Sequence, residues 1–328
     1  SVLATRLVEQ VHAVLGAHRD DDARSGPLSG LDAAAASRHP TQGGLRIGKP
    51  LPERAAGTPV DAALEWERDG QYFHYLTRWM HALDRYARAA REPEAARWAR
   101  ELACAAHAGC VRAIGGRRGI AWKMSIGLDR PQVPATGQHD ALDGLVTALQ
   151  LQAHRPPDAM PDLAALVHDY TALCAGADWG TDDALGLGGL LVDAWRLGQL
   201  PPAMAQARIP LLATILEAAH AGLHAWCARQ PLRQPLARRL AFRELGLAIG
   251  LQALARMATD AAAAPVFAQP ALEARVQPLQ AFVPLGTEVL AQWREPGAQA
   301  ITAWRAHEDI NAVMLATGLV PAGYLDAD

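Results

Sequence analysis

The sequence predicts an all-α fold. Alanine and leucine dominate over valine and isoleucine, half of the 328 residues are apolar, and β-branched clusters of the kind that mark strands are scarce. Apolar positions also recur at helical spacing through most of the chain, with short breaks between the periodic stretches. A chain of this length can bury a large core, and it reads as one helical domain over residues 1–328.

The first helix is expected over residues 2–18, where Val2, Leu3, Leu7, Val11, Val14 and Leu15 form a stripe. Residues 19–70 read as a long irregular segment. Gly26-Pro27, Gly43-Gly44, Pro50, Pro52, Gly57 and Pro59 interrupt any helix there, and a loop this long is expected to act as a lid or a strap. From residue 71 to 320 helices follow one another, at 72–91, 93–113, 138–154, 162–175, 183–199, 206–229, 234–258, 271–282, 285–294, 297–305 and 307–317. Short connections make successive helices antiparallel, and about twelve helices make about six hairpins. Within the helices, GLGGLL at 186–191 and GLAIGL at 246–251 place glycines at mid-helix, where each costs up to about 1 kcal/mol. Their use there predicts close backbone packing.

An internal echo gives the most specific signal. Gly137-Gln138-His139-Asp140-Ala141-Leu142-Asp143 resembles Gly180-Thr181-Asp182-Asp183-Ala184-Leu185, and each run opens a helix. Polar runs stand in the same relation to three other helices: Asp69 to Tyr75, Arg238 to Gly246, and His307 to Asn311. In an up-and-down array alternate helices start at one end, so these runs are expected to share a rim and line one pocket.

Asp140 and Asp143 lie three residues apart and share a helix face. A carboxyl set below a rim loses hydration and can hold its proton near neutrality, as a general acid must. An N-cap and a first-turn acid facing the helix dipole would use the same residues. Asp182 and Asp183 carry the same two readings. Glu244 follows Arg243 inside an apolar helix, where a charge requires a partner such as Arg239 or a pocket. His74, His139 and His307 lie near three of the helix starts, with His81 two turns below His74. Gln138, Lys123, Asp309, Arg239 and Arg243 add polar groups, and Trp66, Tyr72, Phe73, Tyr75, Trp79, Trp122 and Trp179 add rings suited to the apolar faces of a sugar, with mid-helix Trp79 reading as core and Trp122 and Trp179 as pocket residues.

The 31 basic and 34 acidic side chains nearly cancel, so no nucleic-acid footprint and no attraction to an anionic membrane are expected. No apolar run is long enough for a span, and no leader pattern opens the chain, which makes a cytoplasmic protein the expectation. Cys104, Cys110, Cys174 and Cys227 lack CxxC spacing and read as free thiols. No HExxH or other close ligand pair is read in the sequence, so neither a metal nor a cofactor is expected. Phosphate-loop, dinucleotide and serine-hydrolase motifs are also missing.

With its hairpin count, its segments DGQYFHYLTRWMHAL, GQHDALDGL and WGTDDALGLGGL and its aromatic lining, the chain resembles the six-hairpin (α/α)6-toroid group of glycosidases and sugar epimerases over roughly residues 60–320. The resemblance implies a funnel at the N-terminal ends of the inner helices and a carbohydrate ligand. For a glycosidase it implies two carboxylates, about 5–5.5 Å apart for retention or about 6.5–9.5 Å for inversion. Asp140 as acid and Asp183 as water-activating base are the expected pair, with Asp143 and Glu244 as substitutes. A sugar epimerase relying on His139 or His307, an isoprenoid cyclase using Asp182-Asp183 without a DDxxD motif, and a non-enzymatic scaffold whose rim motifs are caps are the alternatives.

Overall fold

A computed structural model describes residues 2–55, 57–154 and 160–327. They are predominantly helical, in two compact units, Ser1–Ala177 and Asp178–Ala327.

The first unit begins with α1 (Val2–Leu15), which buries Val8 and His12 and leaves Val2, Leu3, Leu7 and Val14 of the expected stripe exposed. Helix α2 (Ala33–Arg38) is capped by Asp32, whose side chain accepts the Ala35 amide. The irregular segment around α2 is fastened by buried polar groups. Asp69, fully buried, accepts the Gly48 and Gly70 amides at 2.9 Å each and the guanidiniums of Arg46 and Arg19 at 3.0 and 3.4 Å. Gln71 bonds the Leu45 amide and the Gly43 and Ile126 carbonyls. Lys123, also fully buried, donates from Nζ to the carbonyls of Glu65 and Arg68 at 2.5 and 2.6 Å.

Strand β1 (Gln71–Tyr72) leads straight into α3 (Phe73–Ala90). The turn into α4 (Pro93–Cys110) uses Arg91 at φ 58°, and the amides of Arg91 and Glu92 close the end of α3 by reaching back to Arg88 and Ala87. Proline at the start of α4 supplies the φ a first turn needs. Strands β2 (Val111–Ile114) and β3 (Arg117–Ile120) form a hairpin, and β4 (Lys123–Met124) pairs antiparallel with β1. Two further helices, α5 (Asp140–Ala153) and α6 (Ala164–Cys174), complete the unit, with α4 packed along α3 and α6 along α5.

The second unit contains α7 (Ala184–Gly198), α8 (Pro202–Gln206), α9 (Ile209–Ala228), α10 (Ala241–Thr259), α11 (Pro270–Leu279), α12 (Val283–Arg294), α13 (Pro296–Gln299), α14 (Thr302–Arg305), α15 (Glu308–Leu319) and α16 (Ala322–Leu325). Its axis is the contact between α7 and α10, where the two glycine-rich stretches meet. A methyl group on Gly188 would fall 2.1 Å from the Gly246 carbonyl oxygen, and one on Gly250 would fall 2.6 Å from the Gly188 Cα. The expected close approach is therefore present. Around it, Leu245, Ala248, Val289, Trp293 and Trp304 form a buried cluster.

Three predicted elements differ from the fold. The helix expected over 93–113 ends at Cys110, and the chain turns through Gly115-Gly116 at φ 56° and 80°. Positive φ at both positions is the two-residue turn whose twist matches a hairpin. The helix expected from 234 begins at Ala241, after short 3-10 turns at Pro231–Arg233 and Leu236–Arg238. Each of those turns is preceded or opened by a proline, which lacks the amide a continuing helix would use. The stretch 297–305 is divided into α13 and α14. No helix among the described residues is long and apolar enough to cross a membrane.

Candidate functional site

The first unit brings several of the predicted residues together at the heads of α3 and α5. These helices pack closely because Gly144, one residue beyond Asp143, carries no side chain. A methyl group there would meet Tyr170 at 2.9 Å and Phe73 at 3.1 Å. With α3 drawn in, Thr77 donates its hydroxyl to Asp143 Oδ2 at 2.5 Å, and Arg78 donates to Asp143 Oδ1 at 3.3 Å. Thr77 and Arg78 were not singled out in the sequence. Their signal is spacing, since positions 74, 77 and 78 share one helix face.

Asp140 sits one turn above Asp143 and is 8% exposed. Its carboxyl lies against Gly137, where a Cβ would come within 2.4 Å of all three carboxyl atoms, and its Oδ2 has no hydrogen-bond partner. Burial, and next the negative charge of Asp143, push its pKa up to about 7, with the Gly137 amide and Arg78 opposing. Cys110 and Tyr170, both buried nearby, are also pushed towards their neutral forms by burial, Cys110 to about 12. The carboxyl is thus a proton-holding group in a surrounding of low polarity.

His74 is the other proton-handling group. Its Nδ1 accepts a hydrogen bond from the Trp122 indole N–H at 2.7 Å, which requires an unprotonated nitrogen. Burial, with Arg78 adding to it and Asp143 opposing, lowers its pKa to about 4. Rings surround it: Tyr75 at 4.5 Å between centroids, Tyr72 at 5.5 Å and Trp122 at 5.8 Å, with Trp66 against Trp122 at 5.3 Å. Tyr75 is about half exposed and forms the outer edge of the group.

On the α5 side lies an open cavity of about 410 Å³, lined by Ile114, Arg117, Arg118, Thr136, Gln138, Leu173 and their neighbours. Gly137 and Ala141 line it too, so the residues flanking Asp140 form part of its wall. His139 is the N-cap position of α5 and is half-buried. Lys123 is the fastening cation described above, its pKa lowered to about 8 by burial, with Lys49 adding to it.

The remaining predicted residues belong to the second unit, where several have structural partners. Asp183 is the N-cap of α7, accepts the Gly186 amide at 3.0 Å and pairs with Arg243 at 2.5 Å. Asp182 pairs with Arg229 on the surface. Glu244 forms a buried bidentate pair with Arg239 at 2.7 and 2.5 Å, and also accepts the Trp293 indole N–H at 2.8 Å. Trp179 is buried just before α7, whereas His307 and Asp309, at the head of α15, are exposed. The four cysteines are free, with Cys110 and Cys174 buried.

The chain matches no family model, no curated protein and no solved structure.

Proposed function

We propose that the heads of α3 and α5 form the active site of a carbohydrate-active hydrolase, with Asp140 as the general acid. The observation that carries this reading is the Asp140 carboxyl itself. It is buried, retains a proton near neutral pH, has one oxygen free of hydrogen-bond partners, and lies against Gly137, a residue of the cavity wall. A cavity of about 410 Å³ is of small-molecule size. The aromatic rings around His74 offer surfaces for C–H faces of a sugar, and Gln138, Arg117 and Arg118 offer donors for hydroxyl edges.

In this reaction Asp140 protonates the glycosidic oxygen as its bond to the anomeric carbon breaks, Asp143, held by Thr77 and Arg78, stabilises the positive charge that develops on the sugar ring, and a water molecule adds to that carbon and returns its proton to Asp140. His74, uncharged, positions a hydroxyl group. The site lies within the first unit and does not require six hairpins to close into a toroid; Asp183 as partner base remains part of the toroid reading.

The test is a panel of aryl glycosides. Asp140→Asn should lose about 10²–10⁴-fold in rate on substrates whose leaving group needs a proton, and much less on a dinitrophenyl glycoside, whose leaving group departs unaided. Equal loss on both classes, or no turnover of any sugar by the parent protein, rejects the proposal. A second reading, a non-enzymatic binding protein, is favoured in the second unit by Asp183 and Glu244, whose oxygens are engaged by a helix end, two arginines and Trp293.

A further inference from the structure

We infer that His220 and His224, on one face of α9, form a bidentate site for a divalent transition-metal ion. The residues are four apart in a 20-residue helix, so their rings stand one above the other. Their Nε2 atoms are 3.2 Å apart. Two imidazole nitrogens bound at about 2.0–2.1 Å to one ion lie about 2.9 Å apart for a right angle at the metal and about 3.4 Å apart for a tetrahedral angle. The observed separation falls between these limits, so both nitrogens reach a common ion without a change of helix geometry.

The rings are also held in place. Their planes stand at 82°, and each packs edge-on against Phe282, at 6.2 Å for His220 and 5.1 Å for His224. Such support fixes ligand orientation before the ion arrives. One turn earlier on α9, Glu217 is paired with Arg275, so the nearby guanidinium is already engaged by a carboxylate. Without metal, one ring donates Nε2–H to the other; with metal, both rings carry their proton on Nδ1 and present Nε2 lone pairs.

Two neutral imidazoles select copper, nickel and zinc over magnesium and calcium, whose preferred donors are oxygens. Water fills the other positions, since among the described residues no group of three or more His, Cys, Asp or Glu is placed to hold a metal ion. Contrary to the expectation that the chain holds no close ligand pair, His220-Ala221-Gly222-Leu223-His224 has the ligand spacing of HExxH without its glutamate.

Titration of the untagged chain with copper sulfate, followed by electron paramagnetic resonance and by thermal unfolding, tests the site. One equivalent should bind through at least two imidazole nitrogens and raise the midpoint, with nickel and zinc weaker and magnesium without effect. His220→Gln and His224→Gln should each weaken copper binding at least about tenfold, by removing one arm of a chelate. His168→Gln, an exposed histidine on α6, should leave binding unchanged. Copper bound through one imidazole in the parent, undiminished affinity in both α9 variants, or equal stabilisation by magnesium would overturn the assignment.

Discussion

Burial acts in opposite directions on the acid and the bases of the first unit. Asp140 holds its proton up to about pH 7, so from about pH 4 to 7 the unfolded chain has released a proton that the folded chain keeps, and stability falls as pH rises. His74 and His12 have pKa values lowered to about 4, so between about pH 4 and 6.5 the unfolded chain binds protons the fold excludes, and stability rises with pH. Both histidines accept an indole N–H, from Trp122 and Trp79, which protonation would break. Asp140→Asn removes the only opposing slope of the three. We expect the variant to be more stable than the parent at pH 7 and to lose stability more steeply on acidification, by about 1.4 kcal/mol per pH unit more than the parent, in urea unfolding at pH 5, 6 and 7. Parallel pH profiles would mean that Asp140 is ionised in the fold. The sequence showed that Asp140 could be buried, but not that its echo, Asp183, would differ. Asp183 is the cap of its helix, whereas Asp140 lies one position inside, behind His139; that single step separates a partly exposed cap from a buried acid.

For whole elements, periodicity located nearly every helix, because each buries a continuous face that leaves its imprint at i, i+3 and i+4. It failed where glycine and proline, rather than apolar spacing, decide the path. Gly115-Gly116, flanked by Val111–Ile114 and Arg117–Ile120, was a hairpin signal hidden behind an alanine-rich helix. The glycines of α7 permit a sharper test. Gly188 faces the Gly246 backbone, whereas the adjacent Gly189 has nothing within 4 Å of the position a Cβ would take. Gly188→Ala should destabilise by about 1–3 kcal/mol through overpacking, while Gly189→Ala should stabilise by up to about 1 kcal/mol through helix propensity. Denaturant midpoints of the two variants, with unchanged slopes, measure both; a Gly188 variant as stable as the parent would show that the two helices part easily.

Across the molecule, composition was enough to give the helical class, but how distant helices associate depends on surfaces that carry no periodic mark. Each unit encloses its own buried residues, Phe73, Leu102 and Leu142 in the first and Leu191, Leu245 and Trp293 in the second. Fragments 1–177 and 178–327 should therefore each give helical circular dichroism and a cooperative melt. Two unfolded fragments would instead point to a ring that needs all of its hairpins. The fastening of residues 65–68 by Lys123 has a chemical consequence for the entire chain. Of its 31 basic residues only two are lysines, Lys49 and Lys123. Because the Lys123 amine is enclosed and shared between two carbonyls, acylating reagents and lysine-modifying enzymes meet Lys49 as the one accessible lysine of the native fold.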